Sequence, residues 1–206
     1  MEWIISDTHF GHKNIITYCS RPYQSVRQQD DDLERRWTNR VKPDDIIYHL
    51  GDVGYIKGYQ TDNIITDDSV AARIRRLPGR KILILGNHDK SPGVMRSVGF
   101  DVVCQSMVVK VPNMNSCYVL LNHRPLQSTP LLPDPVAVPN GISYVLHGHI
   151  HNSTEETRRE HINKGELVHI PSHNINCSVE VINYEPVGLE WMVKNHIKNL
   201  KLKGKY

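Results

Sequence analysis

The chain has 206 residues, 39% of them hydrophobic, and a formal net charge of only +3. That length suits one core, no apolar run approaches the ~18 residues of a membrane span, and so small a charge gives no argument for nucleic acid from composition alone. The N-terminus carries Glu2 where a leader would carry lysines, and Cys19, Cys104, Cys117 and Cys177 form no Cys-x-x-Cys pair. A non-exported, cytoplasmic protein with reduced thiols is expected. Histidine is the outlying residue, with twelve copies, several beside Asp, Asn or Gly. Metal chemistry is therefore the first thing to look for.

In chain order, Trp3-Ile4-Ile5 reads as a short strand ending at Ser6-Asp7. Leu33, Trp37 and Val41 recur every four residues and predict a helix over 28–41, stopped by Pro43. The acidic run Asp30-Asp31-Asp32 falls at the start of that helix, where carboxylates offset the helix dipole. Residues 45–50 predict a second strand ending at Gly51-Asp52, residues 64–77 a helix closed by Pro78-Gly79, and residues 81–85 a third strand ending at Gly86-Asn87-His88-Asp89. Residues 102–111 and 117–121 read as strands split by a turn, the second ending at Asn122-His123. Residues 143–146 read as a strand ending at His147-Gly148-His149-Ile150-His151, and 166–170, 177–183 and 187–193 as further strands.

Five strands thus end in Asp, Asn or His, and layered α/β folds bind ligands beyond the carboxyl ends of their strands. Asp7 and His9 project to one face, as do His149 and His151. Glycines 51, 86 and 148 let the backbone turn beside them. The set Asp7, His9, Asp52, Asn87, His123, His149 and His151 supplies the mixed nitrogen and oxygen ligands that two divalent metals need, with a carboxylate as the natural bridge. His147 and His49 face away from these ligands and read as packed structural residues. Segment 124–141, with five prolines, is either a surface connection or a rigid wall beside the site after His123. Arg73, Arg75, Arg76, Arg80 and Lys81 read as a solvated basic face, and the lysines from about residue 195 as a flexible basic tail.

The blocks Asp7-x-His9, Gly51-Asp52, Gly86-Asn87-His88-Asp89, His123 and Gly148-His149-x-His151 stand in the order found in the calcineurin-like metallophosphoesterase superfamily, which the chain resembles over residues 7–151. Residues 7–16, Arg21-Pro22-Tyr23, Asn176-Cys177-Ser178-Val179-Glu180 and Tyr184-Glu185-Pro186-Val187 are similar to a subset of short, single-domain bacterial and phage members. The resemblance implies an α/β fold, a four-layer α/β/β/α sandwich of two mixed sheets, as one domain over 1–206.

It also implies that Asp7, His9 and His151 hold one metal, that Asn87, His123 and His149 hold the other, and that Asp52 bridges them. The cofactors would be two divalent ions, Mn²⁺ first, with Fe, Ni or Zn as alternatives. A metal-bridging hydroxide would attack phosphorus, while His88 contacts the phosphate and protonates the leaving oxygen. Asp89 would orient and charge His88. Substrate contacts would come from Asn87 and His88, with His12 as a further candidate; His12 could instead cap the first helix. The chain departs from protein phosphatases in reading Gly51-Asp52-Val53-Gly54-Tyr55 rather than continuing with Asp-Arg-Gly, and in ending its Asn-His motif on Asp89. The expected substrate is therefore a phosphodiester or nucleotide-type ester. Phosphomonoester hydrolysis, nuclease action on nucleic-acid ends and a non-catalytic scaffold are the alternatives. Neither a membrane nor an obligate protein partner is expected.

Overall fold

The computed structural model describes residues 1–56, 69–126, 140–153 and 173–202. Two mixed sheets flanked by helices make an α/β fold. The first contains β1 (Glu2–Ile5), β2 (Ile46–His49), β3 (Arg80–Ile84), β4 (Val102–Cys104) and β9 (Val187–Gly188), in the order β4-β3-β2-β1-β9. Its first four strands are parallel, and β9 pairs antiparallel with β1. The near-continuous apolar sequence of β1 and β3 follows from this, because a parallel sheet is covered on both faces. The second sheet runs β5 (Ser106–Lys110), β6 (Tyr118–Asn122), β7 (Tyr144–His147) and β8 (Asn174–Asn176), with β5 antiparallel to β6 and the rest parallel.

Between these strands lie α1 (Lys13–Tyr18), α2 (Val26–Arg40), α3 (Val70–Arg76) and α4 (Pro92–Ser97), and α5 (Leu189–Leu202) closes the described chain. The Ser25 side chain caps α2 by accepting from Gln28 N. Leu33 and Trp37 bury the face of α2 that the four-residue spacing predicts, and the Trp37 indole donates to the carbonyl of Pro78. One core joins both sheets, with Ile4, Ile47, Leu83, Val119, Leu121 and Leu146 all buried in it.

Register places the chemistry. Ile5, His49 and Leu83 lie side by side in β1, β2 and β3, so the three strands finish level. Beyond them, Ser6 makes an isolated parallel bridge with Ser178, just after β8. The carboxyl ends of the two sheets are thereby joined at one place.

Several expectations need correction. Residues 102–111 are not one strand: β4 belongs to the first sheet and β5 to the second, and the chain crosses between them at Gln105. Residues 177–183 form turns instead of a strand, since the β7–β8 ladder stops at Asn176, Val181 and Ile182 bond back to Ser178, and only the isolated bridge at Ser178 remains. Residues 187–193 give only the two-residue β9 before α5 begins. That helix runs through the region read as a flexible tail, because Leu189, Met192, Val193 and Leu200 bury one side of it at helical spacing. The expected strand at 166–170 and most of segment 124–141 lie outside the described residues.

The basic cluster is only in part a solvated face: Arg75, Arg76 and Arg80 are exposed, but Arg73 and Lys81 are not. Arg73 is buried and paired with Asp31 and Glu34, and Lys81 Nζ donates to the carbonyl of Leu77. Nor does the acidic run serve the dipole of α2, which starts at Val26. Asp30 is buried and accepts from the backbone N–H of Gly11, Asp31 pairs with Arg73, and Asp32 pairs with Arg35 and Arg36.

Candidate metal centre

All seven predicted ligands come together at the joined strand ends. Asp7, His9, Asp52 and His123 are buried and form the floor, His149 and His151 are half-buried, and Asn87 and His88 stand exposed at the mouth. Five of these residues have left-handed backbone: Asp7 (φ 57°), His9 (φ 50°), Asp52 (φ 56°), His149 (φ 70°) and His151 (φ 50°). A non-glycine residue held there costs on the order of 1–3 kcal/mol, and such strain concentrates at functional sites.

Backbone and side-chain bonds hold the strained loops. Asp7 N donates to Gly51 O at 3.0 Å and His9 N to Asp52 O at 3.1 Å. The Asp7 carboxylate accepts from His149 N at 3.0 Å and from Ser178 Oγ at 3.0 Å. Two glycines are required by close approach. A Cβ on Gly86 would stand 2.2 Å from Asp52 Oδ1, and one on Gly148 would stand 2.0 Å from Ser6 Oγ and 2.1 Å from Asp7 Oδ2.

Partners fix several imidazole tautomers. His123 Nδ1 faces the carbonyl of Leu50 at 2.7 Å, which can only accept, so Nε2 is left as a lone pair. That lone pair lies 3.0 Å from Asn87 Oδ1 and 3.5 Å from Asp52 Oδ2. His151 Nδ1 donates to Glu180 Oε1 at 3.0 Å, which turns its Nε2 toward Asp7 Oδ1 at 3.8 Å. His9 Nε2 is buried without a hydrogen-bond partner, 3.7 Å from Asp52 Oδ2. Ring nitrogens and carboxylate and amide oxygens crowded together repel one another unless a proton or a metal cation sits among them. The donor set therefore fits divalent metal. Asp7, His9 and His151 have ligand atoms within 4.8 Å of one another, and so do Asp52, His123 and His149.

Burial pushes Asp7 above the usual carboxylate range, against the opposing pull of His151 and His123. It also pushes His9 far below the usual imidazole value, helped by the charge of His151. For His151, burial is outweighed by hydrogen bonds involving Cys19 and Glu180 and by the Asp7 charge, and its proton is held up to about 10.

His88 Nε2 lies 4.0 Å from Asp52 Oδ2, and its backbone N–H donates to Asp52 Oδ1 at 2.9 Å. Its ring stands 5.8 Å from that of His9. Asp89 does not orient it as expected. The Asp89 carboxylate accepts from three backbone N–H groups, those of Gly86 (2.7 Å), Asp52 (3.0 Å) and Val53 (2.9 Å), and so locks the loop after β2 to the loop after β3. His12 occupies the N-cap position of α1 without a side-chain capping bond; its Nδ1 lies instead 3.3 Å from His9 Nδ1, at the edge of the site. His49 is buried among packed groups and bonds Thr8 and Gly51 N, while His147 is buried beside its own loop.

Residues whose site role the sequence reading did not identify stand behind the ligands. Arg21 donates to the carbonyls of Asp7 (2.7 Å) and Thr8 (2.9 Å) and pairs with Glu180, which receives the His151 proton. Asn176 Nδ2 donates to the carbonyl of His151 at 2.7 Å. Their signal was present as the two sequence blocks around Arg21 and 176–180, yet nothing in their spacing says that they meet. Arg124, directly after His123, places Nη1 2.7 Å from His149 Nε2.

Comparison with known proteins places the whole chain. An uncharacterized protein of Methanocaldococcus jannaschii is 32% identical over 196 residues, covering 93% of this chain and 89% of that protein. A gene product of mycobacteriophage L5 is 36% identical over 87 residues, covering 42% of this chain and 39% of that one. The crystal structure of a protein of unknown function from Aquifex aeolicus superposes with a TM-score of 0.64 at 25% identity, covering 97% of this chain and 98% of the other. The sequence model for calcineurin-like phosphoesterases matches residues 3–115. With the match spanning more than half its length, the chain belongs to the calcineurin-like phosphoesterase family.

Proposed function

We propose that the protein is a phosphoric ester hydrolase acting on a phosphodiester or nucleotide-type ester at a dinuclear divalent-metal site. The observation that carries the reading is the position of Asp52 Oδ2. It lies 3.7 Å from His9 Nε2, 3.5 Å from His123 Nε2 and 4.0 Å from His88 Nε2, so a single buried oxygen is shared by both ligand groups and by the exposed histidine. Asp7, His9 and His151 would hold one ion, Asn87, His123 and His149 the other, with Asp52 common to both. When bound, such ions supply Lewis acidity, lowering the pKa of water and neutralising charge on phosphoryl oxygens. Mn²⁺ is the first choice, with Fe, Ni or Zn accepted by the same donors.

The chain's own residues supply position and a proton. The Glu180 carboxylate and the Leu50 carbonyl face Nδ1 of His151 and of His123 and so turn Nε2 of each ring inward, where His151 would give up its Nε2 proton on binding an ion. His88, exposed at the mouth and tethered through its backbone to Asp52, can reach the leaving oxygen of an ester seated over the floor and hand it a proton. His12 and Asn87 line the same mouth. The Gly86-Asn87-His88-Asp89 motif, which departs from the protein-phosphatase form, favours a diester or nucleotide-type ester over a phosphoprotein. The four cysteines are all free thiols, which suits the reducing cytoplasm.

Rates on bis-aryl and mono-aryl phosphate by the Mn²⁺-loaded protein test the substrate class, beside His88→Ala. The expected result is faster diester turnover and a loss of about 10²–10⁴-fold in kcat in the variant. A tenfold preference for the monoester would overturn the diester assignment, and an unimpaired His88→Ala would remove that residue from proton transfer.

A further inference from the structure

Arg124 stands at the opposite end of the cluster from His12. His12 lies beside His9, whereas Arg124 lies beside His149, with Asp52 between the two ends. Its Nη1 is 2.7 Å from His149 Nε2 and its Nη2 is 3.5 Å from Asn87 Oδ1. A guanidinium only donates, so it is pointed at the lone pairs of two residues assigned above to the second ion. No carboxylate among the described residues pairs with it.

The backbone around Arg124 is fixed while its side chain is exposed. On one side, His123 is buried and bonded to the carbonyl of Leu50. On the other, Leu126 is gripped at both polar groups by the Asn174 side chain: its N–H donates to Oδ1 at 2.9 Å and its carbonyl accepts from Nδ2 at 3.0 Å. Asn122 Nδ2 donates to the Arg124 carbonyl at 2.7 Å. The root of the side chain is therefore pinned at the rim, while its exposed guanidinium extends over His149 and Asn87.

A cation and a guanidinium cannot share the same lone pairs. Resting on the two-metal reading above, we infer that Arg124 is a substrate-binding residue: with metal in place it turns from His149 and Asn87 and binds non-bridging oxygens of the phosphoryl group. The chemistry matches, because the planar fork of arginine offers paired donors to two phosphoryl oxygens and keeps its charge at every working pH. A lysine would present the charge without the fork. The substrate is then gripped from two sides, by Arg124 near the second ion and by His88 near the leaving oxygen.

The experiment uses the full chain loaded with Mn²⁺ and compares wild type with Arg124→Gln and Arg124→Lys. Bound manganese is counted by elemental analysis, inorganic phosphate binding is measured by calorimetry, and diester hydrolysis is followed separately. The expected result is two ions per chain in all three proteins, phosphate binding weakened at least tenfold in Arg124→Gln with partial recovery in Arg124→Lys, and a rise in KM exceeding any fall in kcat. Phosphate affinity in Arg124→Gln within twofold of wild type would overturn the inference. So would a fall to one ion per chain, which would make Arg124 a support of the metal site. Wild type that holds no stoichiometric metal would refute the two-metal reading itself and the inference with it; wild type that is loaded and active alongside unchanged phosphate binding in the variant would refute the role of Arg124 alone.

Discussion

The guanidinium of Arg21 meets the carboxylate of Glu180 at 2.7 Å, across 159 positions of sequence, with both side chains almost wholly withdrawn from solvent. Burial opposes the Glu180 charge, but the hydrogen bond from His151 and the Arg21 guanidinium outweigh it and hold the carboxyl below its usual range. The same guanidinium braces the carbonyls of Asp7 and Thr8, so one buried ion pair sets both a ligand's imidazole and the loop that carries Asp7. Replacing Glu180 by Gln should weaken metal affinity about 10–100-fold, the effect typical of losing a carboxylate behind a ligating histidine. Arg21→Ala should instead destabilise the fold by roughly 3–5 kcal/mol, because it strands a buried carboxylate. Metal titration and urea unfolding of the two variants separate these effects; equal metal affinity in Glu180→Gln would contradict the first.

The glycines beside the ligands make a second prediction. Gly148→Ala forces a methyl group to within about 2 Å of Ser6 Oγ and Asp7 Oδ2, both buried and the second on strained backbone. Overpacking of this kind costs about 1–3 kcal/mol or more, and here the displaced group is a ligand. Metal binding should fall more steeply than melting temperature. Gly93→Ala, which meets nothing within 4 Å, is the control and should change neither.

Asp89 makes a third. With three backbone amides on its carboxylate, Asp89→Ala should cost at least about 1.5–3 kcal/mol, the range for a hydrogen bond to a charged group. Metal occupancy should fall with stability, since Asp52 loses its support. A residue serving only to charge His88 would leave stability untouched and move only the pH profile of turnover. Thermal melts with metal analysis discriminate between the two.

The fourth concerns acid. Gly51 N–H donates to His49 Nδ1, and Thr8 Oγ1, which donates to Val53 O, lies 2.9 Å from Nε2, so His49 is a neutral imidazole with its proton on Nε2. Burial, with the charge of His123, lowers its pKa to about 3. A histidine whose folded value lies below its unfolded value takes up protons on unfolding, so its contribution to stability is present above about pH 6.5 and is lost as pH falls toward 3. His49→Gln, which keeps an N–H donor at the Nε2 position and cannot titrate, should show a flatter stability profile between pH 6.5 and 4, measured by urea midpoint. A profile parallel to wild type would contradict this.

Much of the site was legible in the sequence because each candidate ligand sits at the end of a short apolar run, and strand ends in a layered α/β fold converge. Left-handed φ values at Asp7, His9, Asp52, His149 and His151 were not legible, since propensity places glycine or asparagine there and the strain is sustained by tertiary bonds. Misreading Trp191-Met192-Val193 as strand has the same root: a three-residue apolar run fits either period, and only Leu189 and Leu200, buried on the same side of α5, decide for a helix. The burial of Asp30 and Arg73 was invisible because a charge run looks the same whether it meets water or a partner distant in sequence. Arg21 and Glu180 stood in separate sequence blocks, and only the fold shows that they touch.

The most direct test of the central claim is diester hydrolysis by metal-stripped protein before and after Mn²⁺ is restored, with bound metal counted, beside Asp52→Asn. The account predicts no turnover without metal, recovery at two ions per chain, and loss of both activity and second-ion binding in the variant. Full activity in the stripped protein, or Asp52→Asn retaining two ions and wild-type turnover, would contradict it.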